Sequence, residues 1–96
     1  MRLSELAIAR SGDKGSSANI GVIAKNKEAY KILKEKLTAE RVSEFFGGYP
    51  TIRYELDNLE SLNFVIQDIL KGGVSLSLSW DPQGKGLAQE LLEMEL

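Results

Sequence analysis

The sequence predicts an α+β fold, a two-layer sandwich in which a four-stranded mixed sheet carries helices on one face. The clearest strand is VSLSLSW at 74–80, where apolar residues alternate with serines and so define one buried and one polar face. The clearest helix spans 27–37, where apolar residues recur at helical spacing. A chain of 96 residues is long enough for one small domain, 1–96, and too short for two.

The other elements follow from the same two periodicities. In chain order, the sequence predicts strands 3–10 and 18–24, helix 27–37, a short helix after Thr38, strand 51–57, a helix from Asp57 to Leu70, strand 74–80 and a helix from about 85 to 94. Thr38 is suited to an N-cap, and Asp57 with Glu60 has the spacing of a capping box. Alternate residues from Ile20 to Ala24 are expected in the core.

Chain direction predicts that three loops lie close together. The first two strands form a hairpin, two helices return the chain to the starting edge, and a right-handed crossover adds the last strand. Strands one, three and four would then run in the same direction. The loops after Arg10, Asp57 and Trp80 are therefore expected at one edge of the sheet.

Two of these loops have residues suited to an anion. SGDKGSS at 11–17 combines glycines, which let backbone N–H groups turn inward, with Lys14, although such residues also suit an ordinary hairpin loop. DPQGKG at 81–86 precedes a helix, whose N-terminus favours negative charge, and Lys85 is unfavourable for the helix itself there. In the alternative interpretation Asp81 caps the helix and Lys85 points to water. The candidate ligand-binding residues are Ser11, Asp13, Lys14, Asn19, Asn58, Asp81, Gln83 and Lys85.

A second candidate surface is the sheet face opposite the helices. Arg53 and Glu55 are expected on this face of strand three, paired with each other or with a partner chain. Ala7, Ala9 and the serines of 74–80 would complete a face of small and polar residues. Such a face is either hydrated or a protein–protein interface.

Composition excludes several kinds of chemistry. Cysteine and histidine are both absent, so thiolate chemistry, disulfides and histidine metal ligands are excluded, and no metal or cofactor is predicted. The net charge is −2, and the lysines of helix 27–37 are mixed with glutamates, which argues against nucleic-acid binding. The sequence has neither an apolar run of membrane-spanning length nor a secretory signal, so a cytoplasmic location is expected.

Four blocks of the sequence resemble a known family: RSGDKGSSANIGVIA, LTAERVSEFFGG, RYELDNLESLNFVI and GGVSLSLSWDPQGKGLAQELLEMEL. They are similar to the AtuA-like ferredoxin-fold domain, which forms the C-terminal part of acyclic terpene utilisation (AtuA) proteins. The resemblance implies a ferredoxin-like fold, a much larger companion domain, and a link to acyclic terpenoid or branched acyl-CoA catabolism. Ser16 stands where many relatives have an acidic residue, and Asp57 where they have proline.

Three hypotheses follow for function. The first is an accessory subunit that docks on a larger AtuA-like chain and contributes polar loops to its ligand site, and the presence of Met1 favours a separate subunit. The second is a self-contained domain that binds an anionic or acyl-CoA-type ligand through Lys14 and Lys85. The third is a small dimeric isomerase or lyase that uses a carboxylate and a lysine. The isolated chain is expected to be a homo-oligomer.

Overall fold

The computed structural model describes residues 1–69 and 85–96. Its elements are α1 Leu3–Leu6, β1 Ala7–Lys14, β2 Ser17–Ala24, α2 Lys27–Lys36, α3 Ala39–Phe45, β3 Thr51–Leu56, β4 Ser61–Ile66 and α4 Lys85–Leu92. The four strands form one sheet in the order β1-β2-β4-β3. This arrangement confirms the α+β class, while the predicted strand 74–80 lies outside the described residues.

Within residues 1–69 and 85–96, all three strand pairings are antiparallel, which corrects the predicted mixed sheet. β1 pairs with β2, β2 with β4, and β4 with β3, so β1 and β3 run in opposite directions. The prediction that strands one and three run the same way is therefore wrong. Its cause is the expected return of two helices to the starting edge: α2 and α3 instead carry the chain from Ala24 at one end of the sheet to Thr51 at the other, in the row of Ala18.

The segment 61–66 is β4 rather than part of a helix. Leu62, Phe64 and Ile66 are completely buried, whereas the intervening Asn63 and Val65 are partly exposed. Leu62 and Ile66 are four residues apart, a spacing that fits both a helix and one face of a strand, so the apolar pattern alone did not distinguish them.

A single 3₁₀ turn at Asp57–Leu59 replaces the start of the predicted third helix. Glu60 follows in the left-handed region, at φ 49°, and turns the chain from β3 into β4. The predicted capping box therefore marks a strand-to-strand connection, and Asn58 lies in this exposed turn.

β1 and β2 form a tight hairpin with Lys14 opposite Ser17. Gly15, the first residue of the two-residue turn, has φ 63°, and glycine at this position is the preference of type II′ hairpin turns. Most of the predicted loop 11–17 is therefore paired strand. At the other end, Leu3–Leu6 is a helical turn rather than the start of strand one.

The core lies between one face of the sheet and the helices. β2 contributes Ile20 and Val22, both fully buried as predicted, and β4 contributes Phe64. The helical side chains that complete the core are Leu3, Leu6, Ala29, Tyr30, Leu33, Val42, Leu87, Ala88 and Leu91. Among residues 1–69 and 85–96, no helix is both long and apolar enough to cross a membrane.

Helix caps fix where α2 and α3 begin. The Asn26 side chain accepts a hydrogen bond from the Ala29 N–H at 2.8 Å. The Thr38 hydroxyl accepts one from the Arg41 N–H at 3.1 Å, which confirms the predicted cap. The caps define the first turn of each helix, and both helices lie on the core side of the sheet. The opposite sheet face is left for the site described next.

Candidate functional site

The predicted ligand-binding residues do not all meet at one edge. Ser11, Asp13 and Asn19 lie within the paired strands of the hairpin. Asn58 lies at the opposite end of the sheet, because β3 runs antiparallel to β1. The expected convergence of the loops after strands one and three is therefore wrong.

Of the four remaining predicted residues, one belongs to the hairpin, one belongs to α4 and two lie outside the described residues. Lys14 is the last residue of β1, and Lys85 is the first residue of α4. Asp81 and Gln83 lie outside the described residues.

The orientation of α4 places its first turn toward the hairpin end of the sheet. The Ser11 hydroxyl accepts a hydrogen bond from the Ala88 N–H at 3.3 Å, and the Leu3 N–H donates to the Met94 carbonyl at 2.9 Å. α4 therefore runs antiparallel to β1. A cleft of about 410 Å³ lies between the two, lined by Ala9, Arg10, Ser11, Ala88 and Gln89.

The sheet face that the described helices leave uncovered combines small and polar residues with large apolar ones. We call it the open face, and its exposed large side chains are Ile8, Ile23, Ile52, Tyr54 and Leu56. Ile8 and Tyr54 are each 50% exposed. Ile8 lies opposite Ile23 across β1 and β2, and the other three follow one another along β3, so the exposed apolar surface is grouped on one face, as is typical of an interaction surface.

The described residues that were predicted on the open face point the other way, and the predicted serines of 74–80 lie outside the described residues. Ala7 is 2% exposed and belongs to the core. The Arg53 guanidinium donates to the carbonyls of Lys34 and Leu37, at 3.0 and 2.9 Å, and so closes the C-terminal end of α2. It also pairs with Glu55 at 2.6 Å, which confirms the predicted pair but places it on the helical side.

A depression of about 400 Å³ lies on the β1–β2 half of the open face. Two glycines explain it: a Cβ at Gly12 would meet nothing within 4 Å, and one at Gly21 would meet only the Asn63 Oδ1, at 3.9 Å. Arg10, Asp13 and Asn19 are among the residues that line the depression. It is therefore a shallow and mainly apolar concavity whose lining also includes charged and amide residues.

A charged cluster at the opposite end of the sheet joins α2 to the 3₁₀ turn. The Tyr30 hydroxyl donates to the Asp57 Oδ1 at 2.6 Å, and the Lys34 Nζ contacts the same oxygen at 3.1 Å. The Lys34 Nζ also lies 5.5 Å from the centroid of the Tyr30 ring. Because one carboxylate oxygen accepts both contacts, the cluster links the two elements tightly.

Electrostatics in this cluster favour a structural role. Burial, reinforced by the hydrogen bond to Asp57, raises the pKa of Tyr30 to about 12. The hydrogen bonds from Tyr30 and Lys34 lower the pKa of Asp57, and the bond to Asp57 raises the pKa of Lys34. All three groups therefore keep one protonation state near neutral pH, which does not suit acid–base catalysis. Within the described part of the chain, no group of three or more carboxylates could hold a metal ion.

The sequence contained a signal for the open face that went unused. In 18–24 apolar residues occur on both faces, since Ile23 lies opposite Ile20 and Val22, and in 51–57 apolar residues on one face alternate with charged residues on the other. The outward positions of Ile23 and Tyr54 were missed for this reason. A strand with apolar residues on both faces predicts contact on both faces.

Comparison with known proteins identifies one family. The family model for the AtuA ferredoxin-like domain matches residues 1–96, the whole chain. Neither a curated protein nor a solved structure shows a significant match. The antiparallel four-stranded sheet with helices on one side is consistent with a ferredoxin-like domain. The chain therefore belongs to the AtuA ferredoxin-like domain family.

Proposed function

We propose that this domain is an accessory subunit or domain of an AtuA-type protein and docks through its open face on a larger AtuA-like chain. In this role it serves acyclic terpenoid or branched acyl-CoA catabolism and contributes polar residues of the hairpin end to the ligand site. The observation that carries the proposal is the set of five large apolar side chains exposed on one sheet face. Burying them against a partner removes apolar surface from water and so favours docking.

The size of the open face supports docking on a larger chain. Four strands spaced about 4.8 Å apart, with six to eight residues each rising about 3.4 Å, give a flat footprint of roughly 20 Å by 20–27 Å. Counted on both partners, that footprint is about 800–1,100 Å², within the range of about 600–1,500 Å² typical of contacts between domains. Obligate homodimers generally bury about 2,000 Å² or more.

The chemistry of the described residues also supports an accessory role. The sequence offers neither histidine nor cysteine as nucleophile or base. In the cluster of Tyr30, Lys34 and Asp57, the raised pKa values keep Tyr30 and Lys34 protonated and the lowered pKa keeps Asp57 ionised near neutral pH. We therefore assign the chemical step to the larger chain and the shaping of the site to this domain.

The proposal is tested by mixing the purified domain with a purified AtuA-like large chain from the same organism, and the absence of such a chain would contradict the proposal. Wild-type domain should form a stoichiometric complex in size-exclusion chromatography with light scattering. Ile23→Glu should abolish the complex because it places a charge in the apolar patch. Phe45→Glu is the matched control, since Phe45 lies on α3 and is 41% exposed, compared with 39% for Ile23.

Two binding results would also contradict the proposal. The first is a wild-type domain that stays monomeric when it is mixed with the large chain. Equal loss of binding in Ile23→Glu and Phe45→Glu, with both variants folded by circular dichroism, would place the contact elsewhere.

A self-contained ligand-binding domain is the second candidate. The antiparallel packing of α4 on β1 brings the first turn of that helix toward the hairpin that includes Lys14. Coenzyme A binding by the purified domain, lost in a Lys14→Ala, Lys85→Ala double variant, would support this candidate in place of the first.

A further inference from the structure

We propose that Arg10 receives a carboxylate side chain of the larger chain in the depression on the open face, and that this pair fixes the orientation of docking. The inference rests on the proposed function, because it names the chemistry of the partner at the same surface. It goes further in predicting an acidic residue, rather than apolar contact alone, at a defined point of the interface.

Charge on the open face is the first support. By strand register the face comprises positions 8, 10, 12 and 14 of β1, 17, 19, 21 and 23 of β2, 61, 63 and 65 of β4, and 52, 54 and 56 of β3. None of these positions is Asp or Glu, although the whole chain has a net charge of −2. The strand positions of the open face therefore carry no carboxylate, although Asp13, whose register position is on the other side of β1, also lines the depression. The positive charge of Arg10 on this face complements an acidic partner.

The state of Arg10 is the second support. Three of the four arginines are engaged within the chain: Arg2 with Glu93 at 3.3 Å, Arg41 with the Glu95 carbonyl at 2.7 Å, and Arg53 with Glu55. Among the described residues, Arg10 has no ion-pair or hydrogen-bond partner, and it is exposed. Its five N–H donors are thus available to a ligand, and a guanidinium pairs with a carboxylate through two parallel hydrogen bonds.

The shape of the depression is the third support. Arg10 lies directly opposite Gly21 across the β1–β2 pairing, and Gly21 lies opposite Asn63 on β4. Because Gly21 has no side chain, an incoming group can lie beside the guanidinium on the strand surface. The amide of Asn63 borders this space, since its Oδ1 is 3.9 Å from the Cβ position of Gly21.

A second copy of this chain fits the open face less well. Two such faces packed together would bring two Arg10 guanidiniums into one interface and no carboxylate from either face. Burying charges without partners is costly. Charge complementarity therefore favours a larger chain with an acidic residue over self-association.

The experiment measures the affinity of the purified large chain for four forms of the domain by isothermal titration calorimetry at 50 and 300 mM salt. The forms are wild type, Arg10→Gln, Arg10→Lys and the matched control Arg2→Gln, whose guanidinium is also exposed. Arg10→Gln should bind the large chain at least tenfold more weakly than wild type, and its affinity should change little between the two salt concentrations. Arg10→Lys should fall between the two, because an ammonium keeps the charge but not the paired geometry. Arg2→Gln should match wild type.

A charge reversal identifies the partner residue. Arg10→Glu should abolish binding, and an Asp→Arg or Glu→Arg substitution in the region of the large chain that docking protects from hydrogen exchange should restore it.

The outcomes separate this inference from the proposed function. If wild type docks and Arg10→Gln binds as tightly as Arg2→Gln, the carboxylate pairing is overturned and the docking proposal stands. If wild type does not dock at all, both fall. If the isolated domain is a dimer that Tyr54→Glu dissociates, the occupant is a second copy, and the inference is again overturned.

Discussion

The two faces of the sheet are built by the same four strands but meet different surroundings. On the helical side, Ile20, Val22 and Phe64 are fully buried, and even the charged Arg53 bonds to the end of a helix. On the open face, Ile8 and Tyr54 remain half exposed, and Arg10 has no partner among the described residues. The comparison teaches that one face maintains the fold, whereas the other is available for a partner.

The largest expected difference between the faces is in stability. Phe64→Ala removes a fully buried ring and should lower the free energy of unfolding by about 3–5 kcal/mol. Tyr54→Ala, in the adjacent row of the neighbouring strand and on the open face, should change it by about 0.5 kcal/mol or less. Urea unfolding followed by circular dichroism measures both. Equal losses would mean that the open face is part of the core.

A smaller difference in stability is expected when the hydroxyl of a tyrosine is removed on one face or the other. Tyr30→Phe removes the hydrogen bond to Asp57 and should cost about 1 kcal/mol, while Tyr54→Phe on the open face should be neutral. Tyrosine absorbance gives an independent readout: one of the three tyrosines should ionise last, near pH 12, and this step should vanish in Tyr30→Phe. Because the pKa of Tyr30 is raised on folding, its contribution to stability is complete below pH 10 and is lost as the pH rises toward 12.

Acid should weaken the helical side through Asp57. The pKa of this carboxyl is lowered in the folded state, so its contribution is present at neutral pH and is lost as the pH falls below about 4. Asp57→Asn should therefore flatten the acid limb of a stability-versus-pH profile. Asp13→Asn in β1 is the control and should leave the limb as in wild type. Identical profiles for the two variants would show that ionised Asp57 does not stabilise the fold in this pH range.

The smallest effect is expected at the floor of the depression. Gly21→Ala adds a Cβ that meets only the Asn63 Oδ1, at an ordinary contact distance of 3.9 Å, so unfolding stability should change by about 0.5 kcal/mol or less. Binding of the large chain should nevertheless weaken, because the methyl group narrows the space beside Arg10. A marked loss of stability would show that the glycine serves the fold rather than the surface.

Sequence periodicity predicted the elements that bury a single face. α2, the cap at Thr38, α3, α4 and β2 lie close to their expected positions. It failed at β4, where Leu62 and Ile66 satisfy both helical and strand spacing, and only pairing with β2 and β3 decides between them. A second failure was the path of α2 and α3, which carry the chain to the opposite end of the sheet, so that β3 runs against β1 and Asn58 lies far from the hairpin.

The site was harder to predict than the fold for a physical reason. Ile52, Tyr54 and Leu56 alternate with charged residues in an edge strand, and hydrophobicity alone places them inward. In the structure Arg53 takes the inward side because its guanidinium finds the free carbonyls at the end of α2. The position of a helix end decides the orientation of the strand, and that is a tertiary property.

The first and last residues of the chain are neighbours in space. The Leu96 N–H donates to the Met1 carbonyl at 2.9 Å, and the Met1 ammonium pairs with Glu95 at 3.0 Å. A peptide linker of a few residues could therefore close the chain into a ring. Cutting that ring between Gly15 and Ser16 would give a circular permutant with every strand pairing intact, in which a fused reporter leaves from the hairpin instead of the opposite end.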